Sequence, residues 1–247
     1  MANWSDPRTT AAPFATGAGT RSAAYDAGLR SYMLSVYNYM ASGVLLTGIV
    51  AVLFSMGGAQ SPAAAVFMSG GILKYIIMLS PLAFVMVLSF GINRLSTGAA
   101  QMIFWAFAAV MGLSMSTIFL VYTGASIAIT FFATAAAFLS LSLYGYTTKR
   151  NLQAFGTFLI MGLVGLIVAT LLNLWFQSSM MSLVISAIGV LLFAGLTAYD
   201  TQRIKLMYDQ VAGTDMMGKV VIMGALSLYL DFVNMFQFLL SFLGNRD

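Results

Sequence analysis

Seven apolar runs, at roughly 31 to 56, 75 to 93, 101 to 123, 125 to 147, 152 to 174, 180 to 205 and 218 to 243, dominate this chain. At about 17 to 25 residues, a run can cross the hydrocarbon layer of a bilayer as an α-helix. Backbone polar groups in lipid must be satisfied within a helix or around a closed barrel. These runs lack the alternating polarity of barrel strands, so they predict an all-α membrane protein with seven transmembrane helices, embedded in a lipid bilayer. Composition agrees, because 60% of the 247 residues are hydrophobic, 7% are charged, and none of the seven acidic residues is glutamate. The shortest connections fall at 123–126 and 175–180.

Charge predicts the orientation. With the N-terminus inside, Arg8, Arg21, Arg30, Arg94, Lys149, Arg150, Arg203, Lys205 and Lys219 lie on one side, nine of the eleven basic residues. Lys74 and Arg246 lie on the other. Basic residues concentrate on the cytoplasmic side of membranes, so the N-terminus is expected in the cytoplasm and the C-terminus outside. Residues 1–30, rich in Ala, Thr, Ser and Gly with Pro7 and Pro13, read as a cytoplasmic tail, partly disordered. Residues 31–247 then form the seven-helix domain. No apolar segment precedes "APFATGAGT", so a cleaved secretory signal is not expected. The formal net charge of +4 follows from topology, and no nucleic-acid partner is expected.

Several chemistries lack their parts. The chain has no cysteine, which excludes disulfides and thiol chemistry, and no histidine, which removes the usual zinc ligand and general base. A retinal protein needs a lysine inside the bundle, and the seventh run has none beyond Lys219. No enzymatic activity and no resident cofactor are expected. Pro81, the one proline within a run, predicts a kink in the second helix or a wide point in the bundle. The eighteen methionines and nineteen phenylalanines read as lipid-facing or core-filling side chains.

The exception to this apolar pattern is "LSLYLDFVNMFQFLL", residues 226–240, which carries Asp231 in mid-span. An ionised carboxylate there costs about 2.5 to 3.5 kcal/mol even on the lenient insertion scale. At 100° per residue Gly224, Ser227, Asp231, Asn234 and Ser241 share a sector of about 100°. A helix that is apolar except for one polar stripe suits a position among other helices, with the stripe turned away from lipid.

Asp200, in "AGLTAYDTQRIK", is the only other acidic residue within the runs, and it sits on the preceding, antiparallel helix. Two carboxylates in a low dielectric cannot both ionise cheaply, so a shared proton would couple their titration and let a histidine-free chain respond to pH. Each aspartate also has a plainer reading. Arg203 lies at i+3 from Asp200 on the same face, where a local ion pair would explain it. Asp231 could be a protonated carboxyl that serves packing alone. Depth separates the two acids unless the sixth helix continues through "LMYDQ" or the helices tilt. Asn38 and Asn173 read as interhelical hydrogen-bonding groups, and Arg94 in "GINRLS" as a snorkelling cation within possible reach of a carboxylate.

"AYDTQRIK", followed some thirty residues later by "ALSLYLDFVNMFQFLL" and accompanied by "SPLAFVMVLSFGINRLS" in the second run, resembles the Bax inhibitor-1, or transmembrane Bax inhibitor motif, family. The likeness covers nearly the whole chain after the tail. It implies two layers of three helices around a central, polar seventh helix. It further implies that Asp200 and Asp231 match the family's hydrogen-bonded aspartyl pair, the latch of a pH-sensitive calcium leak. The chain departs from some eukaryotic members in ending at "GNRD" without a basic tail, so functions of that tail are not carried over.

Two functions are therefore expected to compete. One is a passive cation leak, with Ca²⁺ as permeant ion and a transient calcium site at Asp200 and Asp231, supported by Ser227, Asn234, Arg203 and Arg94 along the pore. The other is a membrane-embedded regulator that binds a membrane-bound AAA protease through its tail and the connection from Arg203 to Lys219. The expected location is the inner, cytoplasmic membrane of a bacterium.

Overall fold

The computed structural model describes residues 14–245, with side chains from residue 23 onward. Residues 1–13 of the expected tail, with Arg8, and Arg246 at the far end lie outside the described residues. The chain folds as helices α1 (Phe14–Ser55), α2 (Pro62–Met68), α3 (Leu73–Gly91), α4 (Thr97–Met115), α5 (Ile118–Val121), α6 (Gly124–Thr147), α7 (Gln153–Phe176), α8 (Ser179–Val211) and α9 (Met217–Leu243). Seven stretches are long and apolar enough to cross a membrane: α1 from Ala23, α3, α4 with α5, α6, α7, α8 and α9. The expected seven-helix membrane fold is present.

Serine and threonine set several of the boundaries. Ser96 accepts from the Ala99 amide at 3.2 Å, Thr123 from Ser126 at 3.2 Å and Ser178 from Met181 at 3.3 Å, each capping the helix that follows. At the α7–α8 junction Gln177 takes a left-handed conformation (φ 49°), which turns the chain back within two residues. α3 runs unbroken through Pro81, whose side chain is buried.

α9 lies between two layers. α1, α3 and α4 form one, α6, α7 and α8 the other, and α9 packs against α1, α4, α6 and α8. α3 packs chiefly on α4, and α7 on α8, so these two occupy the outer edges. Close approach between layer neighbours depends on missing side chains. A Cβ on Gly112 would stand 2.6 Å from the Thr47 carbonyl oxygen, and one on Gly145 would stand 2.2 Å from that of Ala198.

Two features differ from the sequence reading. Residues 14–30, read as tail, are helical and continuous with the first span. α8 extends to Val211 and gives this extension a surface: Leu29 and Tyr32 are buried, Tyr32 and Tyr25 each lie 5.4 Å from the Tyr208 ring, and the Tyr25 hydroxyl donates to Asp209. The contact is between two helices, which a scan for apolar runs cannot register. The second difference is α2, in a connection that had no assigned structure. Gly57 and Gly58 reverse the chain with φ of 102° and 56°, and Ser61 then caps a helix whose first residue is Pro62.

Candidate functional site

The continuation of α8 through "LMYDQ" resolves the depth mismatch between the two acids. Asp200 lies 11 residues before Val211 and Asp231 lies 14 after Met217. At 1.5 Å per residue, that is about 16 and 21 Å from the α8–α9 connection, a difference of less than one helical turn. The two carboxyls line one cavity of about 560 Å³, walled by α7, α8 and α9.

Arg203, Ser227 and Asn234 line the same cavity. Arg94 does not: it stands exposed in the turn between α3 and α4, where its amide donates to the Gly91 carbonyl at 2.9 Å. Its neighbour Asn93 lines an adjoining cavity instead. Of the six residues singled out around the pair, five therefore converge and one is held apart.

Asp231 is 4% exposed, and its Oδ2 has no hydrogen-bond partner among the described residues. A buried, unpaired carboxylate oxygen is costly wherever water is scarce. Asp200 is less deeply buried. Asp200, Arg203 and Asp231 line the cavity together, with neither an Asp200–Asp231 hydrogen bond nor an Asp200–Arg203 ion pair among the described residues. Asn234 donates through Nδ2 to the Leu230 carbonyl at 2.8 Å, which leaves its amide oxygen as the atom to offer a ligand.

For a cation, this cluster supplies two carboxylates, a hydroxyl and an amide oxygen. No three Asp, Glu, His or Cys side chains gather anywhere among the described residues. Calcium prefers six to eight oxygens, so the cluster suits a transient stop rather than a storage site.

A further cavity adjoins it toward each end. A space of about 270 Å³ shares Asp200, Arg203 and Ser227 with it and extends to Asn93 and Lys219. Another, of about 340 Å³, shares Thr170, Asn234 and Phe238 and extends to Asn173, Ser182 and Ser241. Three cavities that share lining residues follow the polar stripe of α9 along the bundle.

Thr170, Phe238 and Gln202 were not identified as site residues from the sequence. Phe238 was within reach of helical spacing, since it follows Asp231 by seven residues and Asn234 by four. Thr170 is a small polar interruption of an apolar run. Gln202, inside "DTQ", holds the α6–α7 connection: its Oε1 accepts from the Leu152 amide at 2.9 Å and its Nε2 donates to the Arg150 carbonyl at 2.8 Å. Asn173 does bond across helices, donating to Ser182 at 2.7 Å and accepting from the Ser178 amide at 3.1 Å. Asn38 stands exposed on α1. On the other side of α9 the Tyr229 hydroxyl meets Thr47 at 2.6 Å, and Thr47 donates to the Ala108 carbonyl at 2.8 Å, which ties α9 to α1 and α4.

Comparison with known proteins places this arrangement among bacterial membrane proteins. Residues 29–247 match the family described as inhibitor of apoptosis-promoting Bax1. The chain is 47% identical over 223 residues to protein RP147 of Rickettsia prowazekii, covering 90% of this chain and 92% of the relative. It is 45% identical over 225 residues to the inner membrane protein YbhL of Escherichia coli, covering 89% and 94%. A membrane protein of Streptococcus pyogenes is 36% identical over 222 residues, covering 90% and 96%.

Proposed function

The chain belongs to the inhibitor of apoptosis-promoting Bax1 family of membrane proteins, and on that premise we propose that it is a passive cation leak of a bacterial inner membrane, with Ca²⁺ as permeant ion and Asp200 and Asp231 as its pH-sensitive gate. The observation that carries this reading is the convergence of both carboxyls on one cavity that lies in a row of three along α9. Weak coordination by two carboxylates and neutral oxygens favours permeation, because an ion must leave as readily as it enters.

A single proton shared by the two carboxyls would latch α8 to α9 through a short hydrogen bond, and its removal would put two like charges in one low-dielectric cavity. Arg203 would then attenuate the repulsion from the Asp200 side. The gate is thus a change in protonation at the two carboxyls, with no bound group required.

Calcium flux into liposomes holding the purified chain tests this reading across a range of pH. Asp231→Asn and Asp200→Asn each keep the side-chain volume and remove the titration, so each is expected to flatten the pH profile of the flux. Unchanged flux and an unchanged profile in both variants would overturn the assignment.

A further inference from the structure

Three residues line both the aspartate cavity and the polar cavity toward the α7–α8 turn: Thr170, Asn234 and Phe238. Two are small and polar. The third is a large apolar ring that shares its helix face with Gly224, Ser227, Asp231, Asn234 and Ser241.

That ring is positioned by α8. A Cβ built on Gly189 would lie 2.6 Å from the Phe238 ring, so any side chain at 189 would displace it. Phe193, one turn along α8, stacks on Phe238 with centroids 5.9 Å apart and planes 23° from parallel. Beyond the ring the lining turns polar again, and Ser186 and Ser241 bond to each other at 3.1 Å. Phe238 therefore borders the polar groups of both cavities, while the rest of the aspartate cavity is largely apolar, with Leu163, Leu166, Leu196 and Leu230 in its lining.

We propose that Phe238 is the barrier residue of the cation path, a ring seated in the notch left by Gly189 that separates the aspartate cavity from the polar cavity beyond it. This inference rests on the leak reading above. An ion that leaves the carboxylates must pass the ring with its hydration shell stripped or compressed, and hydrophobic constrictions block conduction by excluding water. Phe238 then sets the size limit and the rate, while the aspartates set the pH response.

Because the chain has no cysteine, a single introduced thiol reports access without interference. Ser241→Cys places a thiol beyond the ring and Ser227→Cys places one among the residues of the aspartate cavity. A small, charged, membrane-impermeant thiol reagent is applied to the membrane face on which Gln177→Cys reacts. With Phe238 present, Ser241→Cys is expected to react and Ser227→Cys to stay protected. Adding Phe238→Ala is expected to raise the Ser227→Cys labelling rate several-fold and leave that of Ser241→Cys unchanged, with Phe238→Leu in between. A cooperative thermal transition in detergent, retained in every background, shows that the variants have folded. Equal labelling of Ser227→Cys with and without Phe238→Ala, or protection in both, would overturn the barrier. Failure of the leak reading would appear elsewhere, as absent calcium flux through the unaltered chain in liposomes, and would leave the labelling result readable.

Discussion

α7 and α9 invert the ordering familiar from soluble proteins. α7 has the highest mean hydropathy of the seven spans, 2.4, yet 17% of that stretch is buried in the protein. α9 has the lowest, 1.5, and 67% is buried. In water the most apolar helix would sit at the core. In lipid the apolar surroundings accept α7 as readily as any protein interior would, so no hydrophobic force draws it inward. α9 is central because its Asp231, Asn234 and Ser227 need partners that lipid cannot supply. The two helices are consequently held in different ways. α9 is gripped along its length by four neighbours, whereas α7 packs chiefly on one, α8, and has hydrogen bonds at its two ends, from Gln202 at the start and from Asn173 with Ser178 and Ser182 at the finish.

The largest test of this contrast compares equal truncations. Leu228 of α9 is fully buried, and Leu228→Ala is expected to cost about 2 to 5 kcal/mol as a core cavity. Leu171 of α7 is 60% exposed, and Leu171→Ala is expected to cost less than about 0.5 kcal/mol. Reversible unfolding in detergent micelles measures both, and similar costs would erase the distinction between the helices. An intermediate effect is expected at the end of α7. Gln202→Leu removes two hydrogen bonds to the α6–α7 connection and should cost about 1 to 3 kcal/mol, with faster hydrogen exchange at the Leu152 amide. Protection at Leu152 that survives the change would mean that packing of α7 on α8 holds this end without Gln202. The smallest effect is expected at Tyr229→Phe. Thr47 keeps its bond to the Ala108 carbonyl, so one hydrogen bond is lost and the cost should be near 1 kcal/mol.

Much of this arrangement is legible in the sequence because a bilayer imposes few solutions. Helix length follows from hydrocarbon thickness, and the stripe of Gly224, Ser227, Asp231 and Asn234 follows from 100° per residue. The seven spans and the cavity-facing side of α9 therefore follow from sequence alone. The helical character of residues 14–30 does not, because Leu29 and Tyr32 are buried by α8 rather than by lipid. Nor does the separation of Arg94 from the cavity, since charge and spacing place it only at the membrane edge and not in a particular turn. The link between Phe238 and Gly189 pairs residues 49 positions apart on different helices, and no periodicity records it.

By itself the sequence determined how many times the chain crosses the membrane, which helix carries buried polarity, and which two acids were candidates to meet. Only the tertiary structure decided that they share a cavity, that α7 contributes to its wall, and that Phe238 packs at Gly189 on the border of two cavities. The reason is physical: hydropathy measures compatibility with an apolar medium, and lipid and protein interior are both apolar. Which helix faces which must be settled by shape, by missing Cβ atoms and by the polar groups that have nowhere else to go.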